Sequence, residues 1–180
     1  MIEKLIKKNK IYSGTAAEFY CDEVELPNGK KARREYLNHP GAAAVLAFID
    51  TENIVMVKQY RYPVGQITYE IPAGKMDKGE RPEICAKREL EEETGYKPKT
   101  LEKLISFCPS TAFSNEILHI FISFDIEKGN ANPDDDEFVS KEIISFKTAF
   151  EMVKSGKILD SKTIIALSLH KNATLSKISK

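Results

Sequence analysis

Residues 74–96 read Gly-Lys-Met-Asp-Lys-Gly-Glu-Arg-Pro-Glu-Ile-Cys-Ala-Lys-Arg-Glu-Leu-Glu-Glu-Glu-Thr-Gly-Tyr, and this stretch decides the fold. Pro82 suits the first position of a helix, where its missing N–H loses no partner. Gly95 suits the left-handed residue that lies just past a helix end. The sequence therefore predicts a helix from Pro82 to Thr94 that follows a glycine-containing loop.

The predicted helix separates a face that can be buried from an acidic flank. At about 100° per residue, one arc collects the residues that we expect to be buried, namely Glu83, Ala86, Leu90 and Thr94. Glu89 and Glu93 lie one turn apart on the flank of that arc. Glu92 lies beside Glu89 and within pairing range of Arg88. Three carboxylates are thus gathered on a short length of helix.

This acidic cluster needs a compensating cation. Like charges one helical turn apart destabilise a helix by about 0.2–0.5 kcal/mol per pair, and carboxylates in the last turn also meet the negative end of the helix dipole. A run of acidic residues is often only a solvated helix face. A hard divalent cation such as Mg²⁺ takes carboxylate oxygens and commonly bridges to substrate phosphates. The spacing of the glycine, arginine and glutamate residues across the whole stretch 74–96 favours a metal site over a solvated face.

The spacing resembles the signature of the Nudix hydrolases. Gly74 is followed after five residues by Glu80, after seven more by Arg88-Glu89-Leu90, and then by Glu92-Glu93 and Gly95, each after one residue. The last position of the signature holds Tyr96, where the family usually has an aliphatic residue. Tyrosine is still a large and mainly apolar side chain. The resemblance implies a metal-dependent hydrolase.

Residues 1–40 form a predicted antiparallel β extension. Residues 21–26 alternate polar and apolar side chains, residues 27–30 read Pro-Asn-Gly-Lys as a turn, and residues 31–37 return as the partner strand. A lone hairpin is only marginally stable in water. We therefore expect it to pack on the main domain or on another subunit.

Residues 41–180 are predicted to form one domain with a mixed sheet between helices. The predicted strands are 41–49 and 54–60, which form a hairpin in the core, then 68–71, 101–108, 116–126 and 138–146. The predicted helices after the signature are 148–155 and 161–170, the second with Ser161 as its N-cap. The fold class is therefore α/β.

Composition excludes several classes of protein. The 180 residues include 27 basic and 27 acidic side chains, so no global charge attracts nucleic acid or a membrane surface. The sequence also lacks the basic, aromatic-rich stripe that would indicate RNA binding. No stretch approaches the roughly 18 apolar residues of a membrane span, and the N-terminus lacks a signal-peptide core. Three cysteines without metal-ligand spacing are typical of free thiols in a reducing cytoplasm.

The resemblance extends beyond the signature to bacterial ADP-ribose pyrophosphatases. The similar segments are 38–42, 59–63, 70–74, 134–139 and 156–163. This likeness implies a Nudix α/β/α sandwich, dependence on Mg²⁺ with Mn²⁺ as a substitute, and hydrolysis of ADP-ribose to AMP and ribose 5-phosphate. It also implies a homodimer in which the N-terminal strands are exchanged between subunits.

The same resemblance implies a set of metal ligands. The main-chain carbonyl of Ala73 and the carboxylates of Glu89 and Glu93 would bind magnesium. Glu92 would act as a further ligand or as a catalytic helper, and Arg88 would orient the carboxylates. Attack of water on a diphosphate must overcome the charge of two phosphates, so metal ions and a proton-accepting carboxylate are both needed.

Residues outside the signature complete the implied site. Glu137 matches the position that supplies a late metal ligand or the catalytic base, and Asp135 is a competing candidate for that role. Arg61 and Glu70 match positions near the diphosphate and sugar of the substrate. Their simpler interpretations are a surface ion-pair residue for Arg61 and a charge at a strand end for Glu70.

One segment departs from the ADP-ribose pyrophosphatases. These enzymes often carry Ser-Pro-Gly after the signature, whereas this chain has Ser110-Thr111-Ala112 in a loop where Thr111 would contact substrate. Replacing proline and glycine changes the backbone conformations that are available to the loop. Two alternatives therefore stay open: hydrolysis of another nucleoside diphosphate sugar, such as GDP-mannose or ADP-glucose, or a non-catalytic domain that senses such nucleotides.

Overall fold

The computed structural model describes residues 1–15, 17–132 and 138–178. The chain divides into two compact units. The first contains residues 1–41 together with the loop 108–117, and the second contains residues 42–107 and 118–180. The loop that carries Thr111 therefore belongs with the N-terminal extension.

The first unit is an antiparallel sheet. Its strands are β1 (Lys4–Lys7), β2 (Lys10–Ser13), β3 (Glu18–Glu25) and β4 (Lys31–Asn38). The long strand β3 pairs with each of the other three. Glu25 pairs with Lys31 across a turn in which Gly29 has a φ of 79°, so the predicted hairpin is confirmed. Tyr20 and Tyr36 stack at 5.4 Å and give this small unit an apolar centre.

The second unit contains the larger sheet and the helices. In chain order its elements are β5 (Ala42–Phe48), β6 (Asn53–Arg61), β7 (Gln66–Glu70), β8 (Ala73–Lys75), α1 (Pro82–Thr94), β9 (Tyr96–Pro98), β10 (Glu102–Phe107), β11 (Leu118–Ser123), β12 (Ile126–Lys128), β13 (Val139–Ser145), α2 (Phe146–Lys154) and α3 (Ser161–Ile178). Strands β10, β11, β5, β6 and β13 lie side by side, with β8 against β5 and β7 against β6. The pair β5–β11 is parallel and the other pairs of this sheet are antiparallel, so the predicted mixed sheet is confirmed.

Strand β5 explains the layering, because all of its residues are buried. Ala43, Val45 and Ala47 pack with Leu90 of α1 on one face of the sheet. Alternate residues point to opposite faces, so Leu46 packs on the other face with the residues that α2 and α3 contribute. The result is an α/β/α sandwich, as the sequence predicts. No helix among the described residues is long and apolar enough to cross a membrane.

Two local predictions are wrong. Glu83 is exposed, because the buried stripe of α1 runs through Cys85, Ala86, Glu89, Leu90, Glu93 and Thr94 instead. Burying the Glu83 charge without a partner would cost more than leaving it in water. The N-cap of α3 is Asp160 rather than Ser161, since the Asp160 carboxylate accepts a hydrogen bond from the N–H of Thr163 at 3.0 Å.

Candidate functional site

The acidic helix α1 is held against the end of a short strand. Strand β8 pairs with β5 so that Ala73 lies opposite Ala44. Helix α1 begins at Pro82 and ends at Thr94. The next residue, Gly95, has a φ of 71°, and its N–H bonds to the carbonyl of Glu91 at 2.7 Å. These local signals set the bounds of the helix and thereby the positions of its carboxylates.

Gly74 leaves the space that the Glu89 carboxylate occupies. A Cβ atom built on Gly74 would lie 2.0 Å from Cδ of Glu89 and little more than that from both of its oxygens. Glu89 itself is only 8% exposed, so its side chain has little room to withdraw. Glycine is required here for close approach of a side chain rather than for a left-handed backbone.

Glu93 is the carboxylate that contacts the strand. It is 7% exposed, and its Oε2 accepts a hydrogen bond from the N–H of Ala73 at 3.0 Å. The structure therefore brings together Ala73 and Glu93, which the sequence predicts to be metal ligands. Glu89 reaches the same strand through its close approach to Gly74.

Arg88 joins the carboxylates of the signature. Its guanidinium donates to Glu80 at 3.0 and 3.1 Å, to Glu89 at 2.6 Å and to Glu92 at 2.9 Å. It also donates to the carbonyl of Lys75 at 3.1 Å, which ties α1 to β8. The bond to Glu80 is the main cause that raises the pKa of Arg88, and Arg88 in turn lowers the pKa of Glu80. One guanidinium thus fixes three carboxylates.

Arg61 and Glu70 form a second charged centre at the ends of β6 and β7. Arg61 donates from Nε and Nη2 to the two oxygens of Glu70, at 2.8 and 2.7 Å. Glu70 is 2% exposed and also accepts a hydrogen bond from Thr68 at 2.6 Å. Burial alone would raise the pKa of Glu70, but the bonds from Arg61 and Lys162 hold it far below its usual range.

Sequence reasoning missed Lys162, Asp160 and Thr163 at the start of α3. Lys162 is buried and bonds to Glu70 and, at 3.0 Å, to Asp160. Thr163 accepts a hydrogen bond from the N–H of Ile71 at 2.9 Å. The segment 156–163 resembles the family, but a lysine between a serine and a threonine gives no local sign that it is buried.

An open pocket of about 340 Å³ lies over this second centre. Its lining residues are Arg61, Pro63, Val64, Thr68, Glu70, Leu159, Asp160 and Lys162. The bond to Glu70 raises the pKa of Arg61, and the charges of Glu93 and Asp160 act in the same direction. The positive charge of Arg61 therefore interacts with the carboxylate of Glu93 on α1.

Three candidates named from the sequence remain. Thr111 is exposed in the first unit, in a turn that the N–H of Ser114 closes onto the carbonyl of Ser110 at 3.1 Å. Asp135 and Glu137 lie outside the described residues. Their predicted roles as catalytic base or late metal ligand stay predictions.

Similarity to known proteins identifies the family of this chain. A family model described as the NUDIX domain matches residues 38–165. The chain belongs to the Nudix family. A protein named ADP-ribose pyrophosphatase from Bacillus subtilis (strain 168) is 46% identical over 167 residues, which cover 92% of this chain and 90% of that protein. A protein named methanol dehydrogenase activator from Bacillus methanolicus has the same identity and coverage.

A solved structure supports the fold of this Nudix chain. The crystal structure of an ADP compounds hydrolase superimposes with a TM-score of 0.85, covering 98% of this chain and 96% of that one, at 15% identity. At that identity the likeness establishes the Nudix fold alone. The prediction of a Nudix α/β/α sandwich, made from the signature, is confirmed.

The donor set of the Nudix signature fits a hard divalent cation. Glu89, Glu92 and Glu93 supply only carboxylate oxygens, and Gly74 keeps the approach to Glu89 clear of a side chain. Within residues 1–15, 17–132 and 138–178, no three acidic, histidine or cysteine side chains are already gathered around a metal position. Arg88 bonds to one oxygen of Glu89 and to one oxygen of Glu92, and a carboxylate has about four lone-pair sites, so both side chains keep acceptor capacity for a metal cation.

Cys85 does not compete for such a metal. Its thiol is buried and lies 3.6 Å from the carbonyl of Gly74. Burial, with further contributions from the charges of Glu89 and Glu80, raises the pKa of the Cys85 thiol to about 12. A hard cation such as Mg²⁺ also prefers oxygen ligands, whereas soft thiolates suit metals such as zinc. Oxygen donors therefore remain as the ligands of the site.

Proposed function

We propose that this Nudix protein hydrolyses ADP-ribose to AMP and ribose 5-phosphate in a reaction that depends on Mg²⁺, with Mn²⁺ as a substitute. The observation that carries the proposal is the set of oxygen donors on α1 and β8, placed in a chain that is 46% identical to a protein named ADP-ribose pyrophosphatase. Water adds to one phosphorus of the diphosphate while the bridging P–O bond breaks. The proton of the water passes to a carboxylate.

The metal would be held by Glu89, Glu93 and the carbonyl of Ala73, with Glu92 as a further ligand or helper. When bound, Mg²⁺ would neutralise the diphosphate and activate the attacking water. Arg88 would orient Glu89 and Glu92, which it contacts at 2.6 and 2.9 Å. A single guanidinium can do this because its donors lie in one rigid plane.

The proton acceptor is one of the carboxylates near the metal. Glu92 is a candidate because its side chain is 36% exposed and can reach water, whereas Glu89 and Glu93 are buried. Glu137 and Asp135 are the competing candidates that the family resemblance implies. Replacing each by its amide and comparing the pH dependence of kcat would identify the base, since only its loss removes the acidic limb of the profile.

The anionic part of the substrate would meet Arg61. This side chain is 42% exposed at the pocket of the second charged centre, while its partner Glu70 is buried beneath it. Arginine binds phosphate oxygens with two parallel N–H donors. In this proposal Arg61 contacts the diphosphate, and Glu70 sets the orientation of Arg61.

We also propose a cytoplasmic homodimer that exchanges its N-terminal strands. Every residue of β1 and β2 is exposed, including the apolar side chains of Leu5, Ile6, Ile11 and Tyr12. Apolar strands that face water are typical of an interface. The full chain should sediment as a dimer, and deleting residues 1–40 should abolish that dimer and expose apolar surface. A monomeric full chain, or a truncation that still sediments as a dimer, would contradict the proposal. The free thiols of Cys21, Cys85 and Cys108 suit a reducing compartment.

A second candidate is a Nudix hydrolase of the same mechanism that prefers another nucleoside diphosphate sugar. The observation that favours it is the exposed turn with Thr111 and Ala112, where ADP-ribose pyrophosphatases often have proline and glycine. GDP-mannose and ADP-glucose would then be better substrates than ADP-ribose. A non-catalytic sensing domain is disfavoured, because a pure binder has no need of three neighbouring carboxylates.

A panel of diphosphate compounds with saturating Mg²⁺ tests these candidates. The proposal expects AMP to be released fastest from ADP-ribose, with loss of activity after chelation by EDTA. Faster release of a monophosphate from GDP-mannose or ADP-glucose would establish the second candidate. Binding without turnover of any compound would establish the sensing domain.

A further inference from the structure

Lys162 is a buried ammonium group to which the proposed reaction gives no role. It is 7% exposed, in the first turn of α3. A charged amine in the protein interior is unfavourable unless it is paired and hydrogen-bonded. The two carboxylates that pair with it are those of Glu70 and Asp160. These two carboxylates therefore stabilise the charge of Lys162 in the protein interior.

Glu70 is the partner that links Lys162 to Arg61. One of its oxygens accepts hydrogen bonds from Arg61 Nε at 2.8 Å and Thr68 Oγ1 at 2.6 Å. The other accepts from Arg61 Nη2 at 2.7 Å and from Lys162 Nζ. Bonds on both oxygens leave the carboxylate a single orientation, because any rotation would break at least one charge-assisted bond.

The fixed carboxylate in turn fixes Arg61. Glu70 binds the Nε and Nη2 donors of the guanidinium, whereas Nη1 makes no hydrogen bond with the residues that the structure describes. A guanidinium has five donors in one plane, so the edge that includes Nη1 stays available to a second anion. The Arg61 side chain is 42% exposed and lines the 340 Å³ pocket, where such an anion has access.

We propose that Lys162 is a positioning residue for substrate binding: by holding Glu70 in one orientation, it presents the Nη1 edge of Arg61 to the diphosphate. This inference rests on the proposed function and adds to it a residue that acts through Glu70 and Arg61. It assigns Lys162 to affinity for the anionic substrate and leaves the bond-breaking step to the carboxylates of α1.

The start of α3 lets these two effects be separated. Thr163 accepts the hydrogen bond from the N–H of Ile71, and Asp160 accepts those from the N–H and hydroxyl of Thr163. Neither bond uses the ammonium of Lys162. The backbone that leads from Ile71 to Ala73 thus keeps its anchor when Lys162 is changed, and the metal ligands on β8 should stay in place.

The first test is the Lys162→Met variant, which keeps a long apolar side chain and removes the charge. KM should rise about tenfold, the scale for losing one charge-assisted hydrogen bond, while kcat stays within about threefold of wild type. The matched control is Lys154→Met, because Lys154 forms an exposed ion pair with Glu151 on α2 and should change neither constant. An unchanged KM for Lys162→Met, or a fall in kcat alone, overturns the inference.

A charge-balanced double variant separates positioning from a structural role. Lys162→Met combined with Glu70→Gln removes one cation and one anion, so it should recover stability that the single variant loses. Its KM is compared with that of the Glu70→Gln single variant. If Lys162 acts on Arg61 through Glu70, the double variant has the same KM as Glu70→Gln, because the orienting carboxylate is already lost. A further rise in KM in the double variant would show that Lys162 acts on the substrate independently of Glu70 and would overturn the inference. This comparison does not require the Lys162→Met single variant to fold.

The test of Lys162 does not depend on which nucleoside diphosphate sugar the protein prefers. Both constants are determined on whichever nucleoside diphosphate sugar wild type hydrolyses, so a preference for GDP-mannose would defeat the proposed substrate without defeating the role of Lys162. If wild type hydrolyses none, calorimetric binding of ADP replaces KM. The Kd of ADP should then rise about tenfold in Lys162→Met and stay unchanged in Lys154→Met. An equal Kd in wild type and Lys162→Met overturns the inference.

Discussion

The two charged centres of the second unit are built in opposite ways. Around α1, a single cation, Arg88, bonds to three acids, namely Glu80, Glu89 and Glu92. At the ends of β6 and β7, one acid serves two cations, since Glu70 bonds to both Arg61 and Lys162. Each centre contains buried charges, namely Glu89 in the first and Glu70 with Lys162 in the second, so neither arrangement reflects chance pairing on the surface.

This difference indicates what each centre can still bind. A carboxylate offers about four lone-pair sites, so the acids that share Arg88 keep acceptor capacity for a metal cation. A guanidinium offers five donors, so Arg61 keeps a donor edge for an anion. A magnesium diphosphate carries both partners at once. Under the proposed function the two centres would bind the two parts of one substrate, and changes at each should affect different kinetic constants.

The largest expected effect is at the acidic centre. In Glu93→Gln the amide oxygen can still accept the hydrogen bond from Ala73, but one negative charge is lost. We expect kcat to fall by about 100-fold or more, with the free energy of unfolding unchanged or slightly higher because repulsion along α1 is reduced. Kinetics at saturating Mg²⁺ and urea unfolding provide the two measurements.

The control for this prediction is Glu151→Gln, a change of the same type at an exposed residue of α2. It should leave kcat and unfolding as in wild type. Near wild-type turnover by Glu93→Gln at saturating magnesium would show that Glu93 is not a metal ligand.

A smaller effect is expected from Gly74→Ala. The new Cβ would lie 2.0 Å from Cδ of Glu89, which Arg88 and burial prevent from moving freely. We expect activity to fall by about 10- to 100-fold and stability by about 1–3 kcal/mol, as the carboxylate is displaced. Steady-state kinetics and thermal unfolding would measure the two losses.

Gly129→Ala is the matched control for this steric argument. Its Cβ would meet Glu91 Oε1 at 2.8 Å and the side chain of Lys97 at 2.9 Å, but Lys97 is half exposed and can move aside. This variant should keep most of its activity and stability. Equal losses in the two glycine variants would indicate a backbone effect rather than displacement of Glu89.

The second centre should reveal itself in the pH dependence of stability. Hydrogen bonds hold the pKa of Glu70 far below its ordinary value of 4.5, against the opposing effect of burial. A depressed pKa contributes stability above the unfolded-state value and loses it as the pH falls below that value. Between about pH 5 and pH 3, the free energy of unfolding should therefore fall more steeply in wild type than in Glu70→Gln. Parallel curves from urea titrations would contradict this assignment.

Local signals account for what the sequence predicts correctly. Pro82 and Gly95 bound α1 as predicted, and Gly29 marks the turn of the N-terminal hairpin, because each of these residues acts on its own backbone. What the sequence misses at the second charged centre involves distant partners. Lys162 and Glu70 are 92 residues apart, and no periodicity or spacing relates them. Their contact exists only once α3 packs beside the end of β7.

The smallest expected effect concerns selectivity and the loop from 108 to 117, where the chain departs from the ADP-ribose pyrophosphatases. Thr111 follows Ser110 in an exposed turn, and its N–H enters no backbone hydrogen bond among the described residues, so proline fits there without losing a donor. No described non-glycine residue has a positive φ, so Ala112→Gly adds a conformation that the present turn lacks.

Ordering a binding group costs about 0.5–1.5 kcal/mol, so the double variant Thr111→Pro with Ala112→Gly should raise kcat/KM for ADP-ribose about two- to tenfold relative to GDP-mannose or ADP-glucose. Ala112→Gly alone is the control, because it adds freedom without fixing φ and should give no gain. An unchanged ratio in the double variant would show that selectivity lies with the two charged centres rather than with this loop.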